Sequence, residues 1–172
     1  MTNIENFIRD IPDFPKPGIT FKDITPLLGD AKAFRASIDQ LAESLAGLPC
    51  DAIVGIESRG FLFGAALALV MDVGFVPIRK PGKLPHDTVS REYSLEYGTD
   101  TVEMHRDGVQ SGQSLIIIDD LIATGGTATA ACELVEDVGA KVSALGFIIA
   151  LDFIPWRDRL GDREVRALLR YS

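Results

Sequence analysis

The sequence is poor in the residues that form metal clusters and disulfide scaffolds. It has two cysteines and two histidines among 172 residues. Cys50 and Cys132 lie far apart, and neither belongs to a Cys-x-x-Cys pattern. Zinc fingers, thioredoxin-like redox motifs and disulfide-rich secreted domains are therefore poorly supported. We expect both cysteines to be buried, reduced thiols.

An excess of basic residues is also absent. The chain has 17 Lys and Arg against 25 Asp and Glu, a formal net charge of −8. Nucleic-acid-binding proteins usually carry a basic surface, so no nucleic-acid partner is expected. Any anionic ligand must be held by a local site that works against the negative field of the whole protein.

The chain has little that resembles a membrane or secretion segment. Its longest apolar stretch, residues 60–78, is interrupted by glycines, a proline and Asp72. This pattern predicts a helix, a turn and a strand rather than a membrane span. The first residues, MTNIENFIRD, have no basic segment followed by an apolar one. We expect a cytoplasmic protein without a membrane partner.

Aliphatic runs separated by glycine-marked turns predict an α/β fold. The length fits one domain covering residues 1–172. The order strand, helix, strand, hairpin, strand, helix, strand indicates a mostly parallel, twisted sheet flanked by helices. We expect strands at 51–57, 74–80, 114–120, 141–151 and 164–170, helices at 3–9, 30–47, 61–71 and 131–139, an extended strap at 11–18, an irregular segment at 80–91, and hairpin strands at 92–98 and 100–106.

One stretch, LIIIDDLIATGGT, combines a buried strand with two acids and a glycine-rich turn. Asp119 and Asp120 stand at the end of the apolar run, and Ala123 to Thr127 lead into a helix. Ligands of open parallel sheets bind beyond the carboxyl ends of the strands. Backbone N–H groups at a helix N-terminus attract anions, and glycines allow a close approach. A capped turn with solvated aspartates is the simpler alternative.

The same stretch limits which anion is bound. The sequence has no GxxxxGK[ST] motif and no GxGxxG after its first strand, which argues against a P-loop or a dinucleotide fold. No lysine follows the glycines, so backbone and hydroxyl donors would hold the anion, which suits a monophosphate. The aspartates remain available for sugar hydroxyls or a divalent cation. A phosphorylated sugar satisfies both halves of the motif.

This stretch resembles the ribose-phosphate signature of the type I phosphoribosyltransferases. Further segments resemble the adenine-using branch of that family, in the expected order and over nearly the whole chain. They are FPKPGITFKDITPLL, IVGIESRGFLFGAALA, IRKPGKLP and YSLEYGTDTVEMHRD. The resemblance implies that a phosphoribosyl group passes from 5-phosphoribosyl-1-pyrophosphate (PRPP) to adenine, giving AMP and pyrophosphate.

The resemblance also implies the surroundings of this reaction. It implies Mg²⁺ as cofactor, bound through the substrate's pyrophosphate and ribose, with Asp119 and Asp120 contributing through water. It implies a homodimer, a hood at residues 1–30 and a flexible loop and hairpin lid at residues 80–105. The peptide bond between Glu57 and Ser58 is expected to be cis.

The resemblance assigns a role to each candidate residue. Glu96 is the expected acid/base for adenine, and Arg59 is the main charge at the leaving pyrophosphate. The ribose 5-phosphate residues are Asp119, Asp120, Ala123, Thr124, Gly125, Gly126 and Thr127. The pyrophosphate residues are Glu57, Ser58, Arg59, Gly60, Arg79, Lys80 and Lys83, and the adenine residues are Phe14, Thr20, Phe21, Lys22 and Tyr97.

Near the C-terminus the sequence departs from the family pattern Glu-Leu-x-x-Leu-x-Gly-Arg. The matching stretch is ALDFIPWR, with Ala150 for the glutamate and Trp156 for the glycine, while Arg157 is kept. Two alternatives stay open: an enzyme for another purine such as hypoxanthine or xanthine, and a regulator that binds PRPP without catalysis. The acidic charge and Glu96 argue against the regulator.

Overall fold

The computed structural model describes residues 2–94 and 98–172, and its centre is a five-stranded parallel sheet. The strand order is β4-β3-β7-β8-β9, and each neighbouring pair is parallel. This confirms the predicted α/β fold with a mostly parallel sheet. The strands are β3 (Ala52–Ile56), β4 (Gly74–Ile78), β7 (Ser114–Ile122), β8 (Lys141–Leu151) and β9 (Val165–Tyr171).

Helices cover both faces of this sheet, as the strand and helix order predicts. Helices α2 (Ala31–Ser44) and α3 (Gly60–Met71) pack on one face, and α4 (Gly126–Asp137) packs on the other. Asp30 caps α2, because its carboxylate accepts hydrogen bonds from the backbone of Lys32 and Ala33. Successive residues of the buried strands therefore enter two separate cores, and this fixes the orientation of the strand ends.

A two-stranded antiparallel hairpin, β5 (Thr88–Ser94) and β6 (Thr99–His105), packs beside α4. The first strand begins at Thr88, so the prediction that it starts at residue 92 was wrong, and the irregular segment is shorter. The polar run Ser90 to Glu92 conceals the strand alternation in the sequence. Arg91 makes ion pairs with Glu133 and Asp137 of α4, so this polar part of the strand is held by charge.

The N-terminal segment forms a hairpin rather than an extended strap. A 3-10 helix (Ile4–Phe7) precedes strands β1 (Arg9–Ile11) and β2 (Phe21–Asp23), which pair antiparallel. The intervening residues turn, with positive φ at Asp13 and Gly18. The Asp13 carboxylate accepts the backbone N–H of Gly18 at 2.8 Å, which closes the turn. The prediction of extended backbone at 11–18 was wrong because local side-chain capping bends the segment.

The described residues also include two short helices, α1 (Thr25–Gly29) and α5 (Arg157–Leu160). Both cysteines are free thiols, as expected, and Cys132 is buried. Cys50 is half-buried, so the prediction that both are buried was wrong for this residue. Burial raises the pKa of the Cys132 thiol to about 12, which keeps it protonated. In the described part of the chain, no helix has the length and apolar character needed to cross a bilayer.

Candidate active site

The glycine-rich turn forms a small cavity at the end of β7. The strand continues two residues past the aspartates to Ile122, so the acids lie within the strand rather than at its end. Helix α4 then starts at Gly126 with Gly125 as N-cap. The cavity, about 120 Å³, is lined by Asp119, Leu121, Ile122, Ala123, Thr124, Gly125, Gly126, Thr127, Ala128 and Phe147.

Gly125 has a structural reason to be glycine. Its φ is +80°, a conformation that side-chain-bearing residues rarely adopt. A Cβ there would lie 3.2 Å from the carbonyl oxygen of Trp156. The segment around Trp156 thus packs directly against the turn.

The two aspartates have different surroundings. Asp120 is buried, and the Arg59 guanidinium donates to its Oδ2 from 2.5 Å. Asp119 is half-buried, and its Oδ1 accepts the backbone N–H of Asp120 at 2.9 Å. Burial, followed by the neighbouring charge of Asp120, raises the pKa of Asp119 well above its usual value. One carboxylate is therefore neutralised by an arginine, while the other faces the cavities without that partner.

A second, more polar cavity adjoins the first. It has a volume of about 240 Å³ and shares Asp119 and Thr127 with the cavity of the glycine-rich turn. The peptide bond between Glu57 and Ser58 is cis, as expected. Gly60 begins α3 directly beneath Asp119. The lining residues are Ile56, Glu57, Ser58, Arg59, Lys80, Tyr93, Asp119, Asp120 and Thr127.

Glu57 binds three residues of the basic segment that follows β4. It accepts from the Lys83 ammonium at 2.7 Å, from the backbone N–H of Lys80 at 2.9 Å and from the Arg79 guanidinium at 3.3 and 3.4 Å. Burial acts to raise the pKa of Glu57, but these donors outweigh it and lower the pKa to about 2. Arg79 and Lys83 are thus brought to this site by one carboxylate.

The predicted adenine residues separate onto two sides of β2. The Phe21 ring centre lies 5.7 Å from the Arg59 guanidinium carbon and 5.3 Å from the Phe14 ring centre. Lys22 instead bonds Asp10 at 2.6 Å and lies over the Tyr171 ring. Thr20 lines the same open cavity as Lys22. The side chains of Phe14 and Phe21 are therefore the ones brought toward Arg59.

Tyr93 and the residues that depart from the family pattern, Ala150 and Trp156, are also placed by the structure. Tyr93 is buried and lines the polar cavity, although the sequence assigns it no role. Its aromatic ring in a predicted polar strand is the sequence signal that points to it. Trp156 is buried, with the guanidinium of Arg157 over its ring, and Ala150 is fully buried in β8. The predicted Glu96 and Tyr97 lie outside the described residues.

The fold and the paired cavities define a class of enzyme. The family model "Phosphoribosyl transferase domain" matches residues 24–153, which is more than half of the chain. The chain therefore belongs to the phosphoribosyltransferase family. The match covers β3, β7, the Glu57 to Gly60 turn and the glycine-rich turn.

Relatives of known identity define the branch within this family. Adenine phosphoribosyltransferase from Kosmotoga olearia is 53% identical over 98% of this chain and 99% of its own length. The enzyme of that name from Roseiflexus sp. is 54% identical over 99% of both chains. The crystal structure of adenine phosphoribosyltransferase from Thermoanaerobacter pseudethanolicus, 54% identical, has a TM-score of 0.95 over 98% of both chains. The chain belongs among the adenine phosphoribosyltransferases.

Proposed function

We propose that this protein transfers the 5-phosphoribosyl group of PRPP to adenine, giving AMP and pyrophosphate in purine salvage. The observation that carries the proposal is the pair of adjoining cavities that share Asp119 and Thr127. One cavity ends at a helix N-terminus and suits a phosphate, and the other is lined by charged groups and suits a pyrophosphate. A related structure from Saccharomyces cerevisiae, 42% identical, is described as complexed with an imino-altritol bisphosphate and adenine.

In this proposal the phosphate loop and the aspartates hold opposite ends of one ribose 5-phosphate. The backbone and hydroxyls of residues 123–127 donate to the phosphate oxygens. Asp119 and Asp120 accept hydrogen bonds from the ribose 2′- and 3′-hydroxyls. The salt bridge from Arg59 fixes Asp120 in place, so the sugar binds against an oriented carboxylate rather than a mobile one.

Pyrophosphate leaves toward the second cavity. Arg59 and Lys80 line it, and Glu57 holds Arg79 and Lys83 at its rim. Together with Ser58 and Gly60, these residues would stabilise the charge that develops on the leaving group. Arg59 is already directed into the site by Asp120, so its charge is in position before the substrate binds.

The proposal includes Mg²⁺ bound chiefly by the substrate. Within residues 2–94 and 98–172, no group of three or more His, Cys, Asp or Glu side chains could form a metal cage. The half-buried Asp119 carboxylate nevertheless suits an ion that keeps waters and uses one or two carboxylates beside substrate oxygens. When bound, Mg²⁺ would neutralise charge on the leaving pyrophosphate. The residues present therefore fit such a shared site.

The chemical step exchanges one bond for another at the ribose C1 carbon. The bond from C1 to the pyrophosphate oxygen breaks, and its electron pair leaves with pyrophosphate. A ring nitrogen of adenine forms the new bond to C1 and gives up a proton. We assign that proton to Glu96 as general base. Phe14 and Phe21 would contact the base, and backbone groups of Thr20 and Lys22 would bind its edge. Tyr97 is assigned to the same base by the family resemblance.

Base preference is the experiment that tests this function. Purified protein with PRPP, Mg²⁺ and each purine should form nucleotide fastest from adenine, measured by chromatographic separation of AMP, IMP and XMP. Faster reaction with hypoxanthine or xanthine would assign another purine. PRPP binding by calorimetry without turnover of any base would instead favour a regulator.

We further propose that the protein is a cytoplasmic homodimer. Three apolar side chains of α3 are exposed, with relative exposures of 45% for Leu62, 84% for Leu69 and 47% for Val70. Apolar side chains clustered on one exposed helix face are typical of protein interfaces. Because α3 begins at Gly60, a second copy on this helix would lie close to the pyrophosphate cavity.

Leu69→Glu is expected to weaken the dimer. A charge on the most exposed apolar residue of α3 would be buried without a partner in the interface. Sedimentation velocity should therefore show a monomer at concentrations where the wild-type protein is a dimer. Phe153→Glu, at an exposed apolar residue with 63% exposure elsewhere on the surface, is the matched control and should leave the dimer intact. Equal sedimentation of all three proteins would remove α3 as the interface.

A further inference from the structure

The Lys80 side chain is held by two residues of the hairpin. Its ammonium donates to the Tyr93 hydroxyl at 3.0 Å and forms an ion pair with the Asp100 carboxylate. The Tyr93 hydroxyl also donates to Asp100, at 3.1 Å. The three groups form a closed network, and Lys80 and Tyr93 both line the polar cavity.

This network leaves part of the hydrogen-bonding capacity of the Lys80 ammonium for a ligand. An ammonium group has three N–H donors, and two of them are used by Tyr93 and Asp100. The backbone N–H of Lys80 donates to Glu57 at 2.9 Å, so the start of the side chain is fixed as well. A lysine held at both ends loses less rotamer freedom when it binds a ligand than a solvated lysine does.

The network also joins two parts of the fold. Lys80 follows β4 of the main sheet, whereas Tyr93 and Asp100 belong to β5 and β6 and pair with each other. The backbone of Arg79 bonds Glu103 of β6 in both directions, at 2.8 and 2.7 Å. The segment that carries Lys80 is thereby attached to the hairpin through both its backbone and its side chain.

We propose that Asp100 and Tyr93 are positioning residues that hold the Lys80 ammonium in the polar cavity, ready to bind the pyrophosphate group of PRPP. This inference rests on the proposed function, in which that cavity receives pyrophosphate. Asp100 is not among the residues that line the polar cavity, so it would act through Lys80. The opposing electrostatic expectation is that Asp100, a negative charge near the cavity, repels pyrophosphate and weakens its binding.

Asp100→Asn separates these two expectations. If Asp100 positions Lys80, the substitution should raise the KM for PRPP and the Kd for magnesium pyrophosphate about tenfold, with the KM for adenine unchanged. If the charge of Asp100 only repels the ligand, the KM for PRPP and the Kd for magnesium pyrophosphate should both fall. Tyr93→Phe removes one hydroxyl and keeps the ring, so a smaller rise of about threefold is expected. The measurements are steady-state kinetics for each substrate and calorimetry with magnesium pyrophosphate.

A second ion pair of the hairpin supplies the matched control. Asp137 of α4 pairs with Arg91 of β5, so Asp137→Asn also removes one ion pair between the hairpin and the body, away from the polar cavity. This variant should leave both constants unchanged. Adding Asp100→Asn to Lys80→Ala should cause no further loss of pyrophosphate affinity, because the residue that Asp100 positions is already gone.

Three results would overturn the inference: tighter pyrophosphate binding by Asp100→Asn, an equal loss in Asp137→Asn, or additive losses in the double variant. Calorimetry with magnesium pyrophosphate does not depend on turnover, so these comparisons stand even if no base reacts. Failure of the wild-type protein to convert any base would count against the proposed function instead. If Asp100→Asn does not fold by circular dichroism, Tyr93→Phe, which retains the charge pair, decides the question.

Discussion

Asp119→Asn combined with Asp120→Asn is expected to lower kcat/KM by about 10²- to 10⁴-fold. The two carboxylates are the proposed acceptors of the ribose hydroxyls, and a hydrogen bond to a charged group contributes about 1.5–3 kcal/mol. The loss of two such hydrogen bonds accounts for the expected decrease in kcat/KM, since about 1.4 kcal/mol corresponds to a factor of ten. Initial rates of AMP formation with varied PRPP provide the measurement.

The same substitutions should change the free energy of unfolding in opposite directions. Burial and the Asp120 charge raise the pKa of Asp119 above its unfolded value. At a pH below the unfolded-state pKa, Asp119 is protonated in both states and its ionisation does not affect stability. As the pH rises from the unfolded-state pKa towards the folded-state pKa, its ionisation lowers the free energy of unfolding. Asp119→Asn removes this cost and should stabilise the protein at pH 7, with a smaller gain near pH 4. Asp120→Asn leaves Arg59 without its ion-pair partner and should therefore destabilise the protein.

Urea denaturation of each single variant at the two pH values distinguishes a functional pair from a structural one. Loss of activity with a gain in stability for Asp119→Asn would support a ligand role. A large loss of stability in that variant would show instead that Asp119 holds the fold together, and the kinetic defect would then follow from unfolding.

Much of the fold is predictable because its elements have strong local signals. Continuous apolar runs mark β3, β7 and β8, and the Asp30 cap with its periodic apolar face marks α2. Two errors have a common cause. The polar start of β5 is held by ion pairs to α4, and residues 11–18 are bent by the Asp13 cap. Contacts of this kind, between particular side chains, leave no periodic pattern in the sequence.

The candidate site also has a part that the sequence predicts and a part that it does not. The order of acids, threonines and glycines in one turn predicts a sugar-phosphate site, because each residue type has a distinct bonding capacity. Sequence does not specify which charges pair once the chain folds. The structure pairs Arg59 with Asp120, Lys83 with Glu57 and Lys80 with Asp100. The last pair involves Asp100 of the hairpin, to which the sequence assigns no role.

Gly60→Ala is expected to abolish most of the activity and to lower the free energy of unfolding by about 1–3 kcal/mol, the usual cost of overpacking. A Cβ on Gly60 would lie 2.7 Å from the carbonyl oxygen of Ile118 and 2.9 Å from Oδ1 of Asp119. The Ile118 contact is with backbone of β7, which has a paired strand on each side and cannot easily move. The Asp119 contact would displace a carboxylate of the proposed ribose site.

Helix propensity alone gives the opposite prediction, since alanine is favoured over glycine within a helix by up to about 1 kcal/mol. Gly29→Ala is therefore the matched control: Gly29 also lies in a helix, and a Cβ added there would meet no heavy atom within 4 Å beyond its immediate chain neighbours. Thermal unfolding and initial rates should show that Gly29→Ala is at least as stable and as active as the wild-type protein. If Gly60→Ala is as stable and as active as Gly29→Ala, the start of α3 does not pack against β7 as closely as the structure indicates.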